Sequence, residues 1–190
     1  MTVLCEQHRP GPAARAAARL GGRVPAIDTR RLQLRGPRIY DFKAYAAILC
    51  SDRAEYVGGP FARNEAWAAF TQYTAQWLLH GHGLWAVDAQ TQPSAGFVVL
   101  GLDYGDPEVE LGVYMTEDAE GHGYAHEAAS AARSYAFDTL KWDSVVSYLD
   151  AANVRAGALM QRLGARRDGD AESAFGDGTQ VWRHRSEAAQ

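Results

Sequence analysis

Cysteine is scarce in this chain: of 190 residues, only Cys5 and Cys50 carry a thiol. Two are too few for a disulfide framework, and neither sits in a CxxC or Cys/His spacing that would mark a metal site. A reducing, cytoplasmic setting without a metal is therefore expected. Long apolar runs are lacking too. None approaches the roughly 20 residues of a membrane span, and no apolar core of a secretory signal follows Met1. An excess of positive charge is also missing: the net charge is −4, which argues against the basic stripe of a nucleic-acid binder and suits a cationic partner. Neither nucleic acid nor a membrane is thus an expected partner. Internal repeats and long linkers are absent, and 47% hydrophobic content is enough for one core.

The first 23 residues differ from the rest. They hold Arg9, Arg15, Arg19 and Arg23 against a single acid, Glu6, and AARAAARLGG reads as a short helix stopped by Gly21 and Gly22. Serines typical of a transit peptide are missing, so residues 1–23 are expected to be a mobile or loosely docked extension on a domain spanning 24–190.

From Val24 onward strands and helices alternate. RRLQLRG (30–36) alternates polar and apolar, which predicts a first strand, and YDFKAYAAILCS (40–51) has helical spacing. A second helix is expected from about Asn64, a good N-cap, with Trp67, Phe70, Trp77 and Leu78 on one stripe before Gly81. LWAVDA (84–89), AGFVVLGL (95–102) and VELGVYM (109–115), separated by TQPS and DYGDPE, read as an antiparallel meander. A helix from about 124 to 140, a strand at SVVSYL (144–149), a helix over 154–163 and a strand at VWRHR (181–185) complete the order. The strand–helix–strand unit in the second half implies one parallel pair in an otherwise antiparallel sheet.

AEGHGYAHEAASAA (119–132) places Gly121 and Gly123 directly before an alanine-rich helix. Backbone amides without intrahelical partners point outward at such an end and the helix dipole adds about half a positive charge, while glycine lets the backbone approach an anion. The third glycine of G-x-G-x-x-G is absent, as is the Lys-Ser or Lys-Thr of a P-loop. No Ser or Cys pairs with His and Asp as a triad would. Strand parity sets Glu108, Glu110, Gly112 and Tyr114 on one face, opposite Val109, Leu111 and Val113.

Taken together, PEVELGVYMTEDAEGHGYAHEAASAARSYAF and SYLDAANVRAGALMQRLGA resemble the acetyl-CoA-binding core of the GNAT superfamily of N-acetyltransferases. IDTRRLQLR (27–35) and the helix after it resemble the start of the branch that includes the bacterial acetyltransferases of ribosomal-protein N-termini. The resemblance covers about residues 24–185. It implies an α/β (α+β) GNAT fold, a mixed, mostly antiparallel sheet with a central, splayed parallel pair flanked by helices. It implies acetyl-CoA as co-substrate, with no metal, and an amine acceptor, either a small molecule or a protein N-terminus. The pyrophosphate loop, commonly (Q/R)-x-x-G-x-(G/A), falls on Glu120, Gly121, His122, Gly123, Tyr124 and Ala125. Glu120 departs from it and is expected to face solvent; His122 either adds partial positive charge near phosphate or is merely exposed. His126 is expected at the surface.

Backbone groups around Val113, Tyr114 and Met115 are implied to pair with pantetheine, and Asn153 to contact it or the catalytic centre while capping a helix. Glu110 is the implied base; otherwise it lies on a solvated sheet face or only orders a water. Ala156 and Met160 stand where relatives carry a Ser or Tyr acid, which leaves Tyr114, Tyr148 or a water as donor. The same departure keeps open a non-catalytic acyl-CoA sensor or interaction module. Tyr56 and Phe61, beside Gly58 and Gly59, are the expected acceptor contacts, whereas Trp67 and Trp77 are expected to pack in the core. A homodimer remains open.

Overall fold

The computed structural model describes residues 3–173, 175 and 178–186. In chain order the elements are α1 (Pro12–Gly21), β1 (Ile27–Asp28), β2 (Leu32–Arg35), α2 (Phe42–Leu49), α3 (Arg63–Leu79), β3 (Leu84–Ala89), β4 (Gln92–Gly101), β5 (Glu110–Met115), α4 (Tyr124–Ser134), β6 (Ser144–Asp150), α5 (Val154–Arg162), β7 (Arg166–Arg167), α6 (Gly169–Glu172) and β8 (Thr179–Arg185). The strands form one sheet, ordered β1-β2-β3-β4-β5-β6-β8-β7. All pairs are antiparallel except β5 with β6. The expected meander and the expected parallel pair are both present.

Alternation along the strands gives the sheet two apolar faces. One buries Trp85, Val98, Leu100 and Leu111 with Ala128, Ala129, Ala132 and Ala136 of the helix after the glycine loop. Those alanines are fully buried, and their small side chains let α4 and the π-helical turn that continues it (Tyr135–Thr139) lie close against the sheet. The other face buries Leu84, Ala86, Phe97 and Val99 under Phe42 and Tyr45 of α2 and Phe70 and Tyr73 of α3. Each large side chain buried in this way contributes about 1.5–3 kcal/mol. Trp67 meets Phe42 edge-on at 4.9 Å between ring centroids, and Trp77 donates to the Leu84 carbonyl (2.8 Å), so both tryptophans belong to the packing.

Several boundaries differ from the periodicity. α3 starts at Arg63 because the Glu65 carboxylate reaches back to the Ala62 amide (2.7 Å), so Asn64 is not its cap. Leu78 is 76% exposed and leaves the predicted stripe. Most of TQPS belongs to β4. There the Ser94 amide donates to Asp88 (2.8 Å) and the Ser94 hydroxyl to Asp41 (2.7 Å), so side chains hold a segment that its composition marks as a turn. Both carboxylates also grip the buried Arg35 guanidinium, at 2.6–2.9 Å, which ties β2, β3 and the entry to α2 together. β1, β7 and α6 are additions too short to show a period.

α1 has no buried residue. The chain before it is held by Glu6, whose carboxylate takes two hydrogen bonds from Arg63 at 2.8 Å. Cys5 and Cys50 are both free. Among the described residues no helix is long and apolar enough to cross a membrane.

Candidate functional site

The parallel ladder between β5 and β6 reaches only the Glu110/Val146 register, beside a hydrogen bond from the Val146 amide to the Val109 carbonyl (3.1 Å). Next along β5, the Leu111 carbonyl is taken by the Ser147 hydroxyl (2.6 Å), which also lies 3.2 Å from His184 Nε2. A side chain has replaced the ladder, and the strands part. Gly112, Val113, Tyr114 and Met115 line the resulting cavity of about 1020 Å³, together with the glycine loop, one side of α5 and the 3₁₀ turn Asp52–Val57.

At the loop, Gly121 and Gly123 have φ of 75° and 76°, the left-handed region that glycine enters without strain. A Cβ on Gly121 would meet open space, whereas one on Gly123 would come within 3.4 Å of Arg31. The first amide to enter the α4 ladder is that of Glu127, which bonds the Gly123 carbonyl (3.2 Å), so the preceding amides stay available. Arg31 fastens this loop. It donates to the His122 carbonyl (2.8 Å) and to Glu127 (2.7 Å), and its guanidinium lies 5.0 Å from the Tyr124 ring centroid. Tyr124 and Ala125 line the cavity; the His122 ring does not, being exposed and stacked on Tyr124. His126, expected at the surface, is half-buried and lines the cavity instead.

Glu120 corrects a second expectation. Its carboxylate is not turned to solvent but is half-buried and paired with both Arg53 and Arg155, the latter at 2.8 Å. Burial pushes its pKa up, yet the two arginines outweigh that and hold it below the ordinary value. Arg53 Nη2 also donates to the Met115 carbonyl (3.1 Å).

Glu110 and Tyr114 share a face, as parity predicts, and both line the cavity. Glu110 opens partly to the cleft, but protein surrounds its carboxyl closely enough that burial, aided by Asp106 and Asp103, pushes its pKa up to about 8. Glu108, on the same face, is bound by two hydrogen bonds from Arg183 (2.6 and 2.7 Å), which hold its pKa low. Burial and Glu110 keep the Tyr114 phenol protonated far above its usual range. Tyr148 lines the cavity as well, its pKa pushed up to about 12 by burial and by Asp106, Glu108 and Glu110.

Asn153 caps α5, its Oδ1 accepting the Ala156 amide (3.0 Å), and it lines the cavity with Ala156 and Met160. Neither of those two side chains carries a proton donor. Tyr56 lines the cavity. Phe61 does not: its amide bonds the Leu49 carbonyl (2.9 Å) and its half-buried ring packs against the α2/α3 cluster, away from the cavity lining. Among the described residues no group of three or more His, Cys, Asp or Glu is placed to hold a metal. Sequence reasoning passed over Arg31, Arg53 and Arg155. Their partners lie up to 96 residues away, and no periodicity signals such contacts.

Comparison with known proteins agrees with this architecture. Residues 31–166 match the model of the acetyltransferase (GNAT) domain family. An acetyltransferase crystal structure from Agrobacterium tumefaciens str. C58 is 33% identical, covers 86% of this chain and 95% of its own, and superposes with a TM-score of 0.78. RimL, a ribosomal L7/L12 alpha-N-protein acetyltransferase solved with coenzyme A, shares the fold at 13% identity, 87% and 100% coverage and a TM-score of 0.67. The uncharacterized N-acetyltransferase YnaD of Bacillus subtilis (strain 168) is 25% identical over 87 residues, 46% of this chain, which thus spans about half (51%) of that curated relative. With the family's sheet, its splayed parallel pair and a domain match over most of its length, the chain belongs to the GNAT family of acetyltransferases.

Proposed function

We propose that this cleft transfers an acetyl group from acetyl-CoA to a primary amine, on a small molecule or a protein N-terminus, by direct attack. The observation that carries the reading is the parting of β5 from β6 beside the glycine loop, with Glu110 in the cavity between. The residues present fit the co-substrate: the Gly121–Ala125 stretch offers amides and an uncluttered approach for a pyrophosphate, and the β5 edge from Val113 to Met115 faces a slot open to a peptide-like arm. When bound, acetyl-CoA supplies an activated thioester carbonyl.

The chain's own residues do the rest. Val113 and Met115 present backbone groups, Tyr124 and Ala125 present amides, and Asn153 fixes the start of α5 at the slot's far wall. Glu110 accepts the proton of the incoming ammonium, directly or through a water; a carboxylate with a pKa near 8 is better matched to that amine than an ordinary one. Tyr114 or Tyr148, both held protonated, or a water donates to the departing sulfur, since Ala156 and Met160 have no donor. Tyr56 lines the acceptor end.

Those two residues also favour a second reading, an acyl-CoA-binding module without turnover. Thiol release from acetyl-CoA with a panel of primary amines separates the two. Amine-dependent release above the hydrolytic background supports transfer, and its absence across peptide N-termini, polyamines and amino sugars, with binding intact, leaves the module.

A further inference from the structure

Glu120 is a carboxylate at a loop built to receive phosphate, and the structure supplies a reason. Its side chain pairs with two guanidiniums from separate elements, Arg53 on the 3₁₀ turn after α2 and Arg155 in the first turn of α5, all three lining the cleft. The cluster carries one net positive charge beside the positive end of α4. Arg155 is 70% exposed and held by one ion pair, an interaction worth about 0–1 kcal/mol. A phosphate offers the same guanidinium a bidentate, charge-assisted partner with more negative charge than a single carboxylate.

We propose that Arg53 and Arg155 are phosphate-binding side chains of this site, and that Glu120 is an internal counter-anion that holds them across the mouth of the cleft until the co-substrate's phosphates displace it. The inference rests on the acetyl-CoA reading above. The cation that the loop lacks at residue 120 is thus provided by two neighbours, at the cost of a competitor for their charge. Glu120 therefore weakens phosphate binding while linking the 3₁₀ turn to α5.

Calorimetric titration of the full chain with CoA, dephospho-CoA and pantetheine tests this. Glu120→Gln is expected to tighten CoA at least threefold and leave pantetheine, which has no phosphate, unchanged; Arg155→Gln is expected to weaken CoA at least threefold, again without effect on pantetheine. Retention of both effects with dephospho-CoA assigns them to the pyrophosphate, and their loss assigns them to the 3′-phosphate. Unchanged or weaker CoA binding in Glu120→Gln, or equal shifts with pantetheine, overturns the proposal. Normal CoA binding by the unmodified chain with inert substitutions sinks this inference alone, whereas no CoA binding by the unmodified chain sinks the acetyl-CoA reading with it.

Discussion

Glu108 and Glu110 stand two residues apart on one face of the chain, and their surroundings drive them in opposite directions. Arg183 keeps the first ionised as a structural anion; burial with Asp106 and Asp103 nearby keeps a proton on the second into the neutral range. Glu110→Gln is accordingly expected to lower turnover about a hundredfold, leave acetyl-CoA affinity nearly unchanged, and remove the rise in rate whose apparent pKa lies near 8. A pH–rate profile of both proteins checks it, and unaltered kinetics would remove Glu110 from the mechanism. Stability has the opposite dependence on pH. The folded-state pKa lies above the ordinary 4.5, so the native chain keeps a proton that the unfolded chain has released, and this contribution is lost as the pH rises from about 4.5 through about 8.

Among the elements, one hydroxyl stands where the ladder between β5 and β6 ends. Ser147 donates to the Leu111 carbonyl and lies against His184, which burial and the charge of Arg133 push down to a pKa of about 4, so the ring is neutral at physiological pH. Ser147→Ala leaves a buried carbonyl without its partner and is expected to cost about 1–3 kcal/mol in urea unfolding. An unchanged midpoint would show that the carbonyl finds another donor. β2 and the face of Glu110 were legible in the sequence because alternation has a fixed period of two, and β3 to β5 because turn residues separate their apolar runs. The start of α3 was not, since a glutamate at its third position outcompeted a good capping residue just before it. Ser94 was hidden for a similar reason: turn composition pointed one way, and a buried arginine network assembled from three distant segments pointed the other. Phe61 shows the limit of reading pockets from glycine-flanked aromatics, because a ring near a loop still goes where apolar area is covered.

At the scale of the whole molecule, Arg35 with Asp41 and Asp88 joins the first third of the sheet to the helices on one face. Burial alone would raise the Asp41 pKa, but hydrogen bonds from Arg35, Ser94 and the Arg38 amide outweigh it and hold it below 3.8. The stability it contributes is therefore present above about pH 3.8 and lost as the pH falls through its folded-state value. Asp41→Asn strips the buried Arg35 guanidinium of one of its two carboxylates and is expected to destabilise the fold by about 3 kcal/mol at pH 7, read from thermal or denaturant unfolding. The loss should shrink in acid; a loss below 1 kcal/mol would mean the network closes around Asp88 alone.

The order of elements and the glycine loop were open to reading from the chain because both are local patterns; the arginines that hold the loop were not, because charge pairing across the fold leaves no local trace. Isothermal titration with acetyl-CoA reads the binding capacity of that loop. One site of sub-millimolar affinity is expected in the unmodified chain, and weaker binding in Gly123→Val, which places a β-branched residue in the left-handed backbone region (φ 76°) where only glycine sits without strain. No binding at sub-millimolar concentration, or undiminished affinity in that variant, would contradict that expectation.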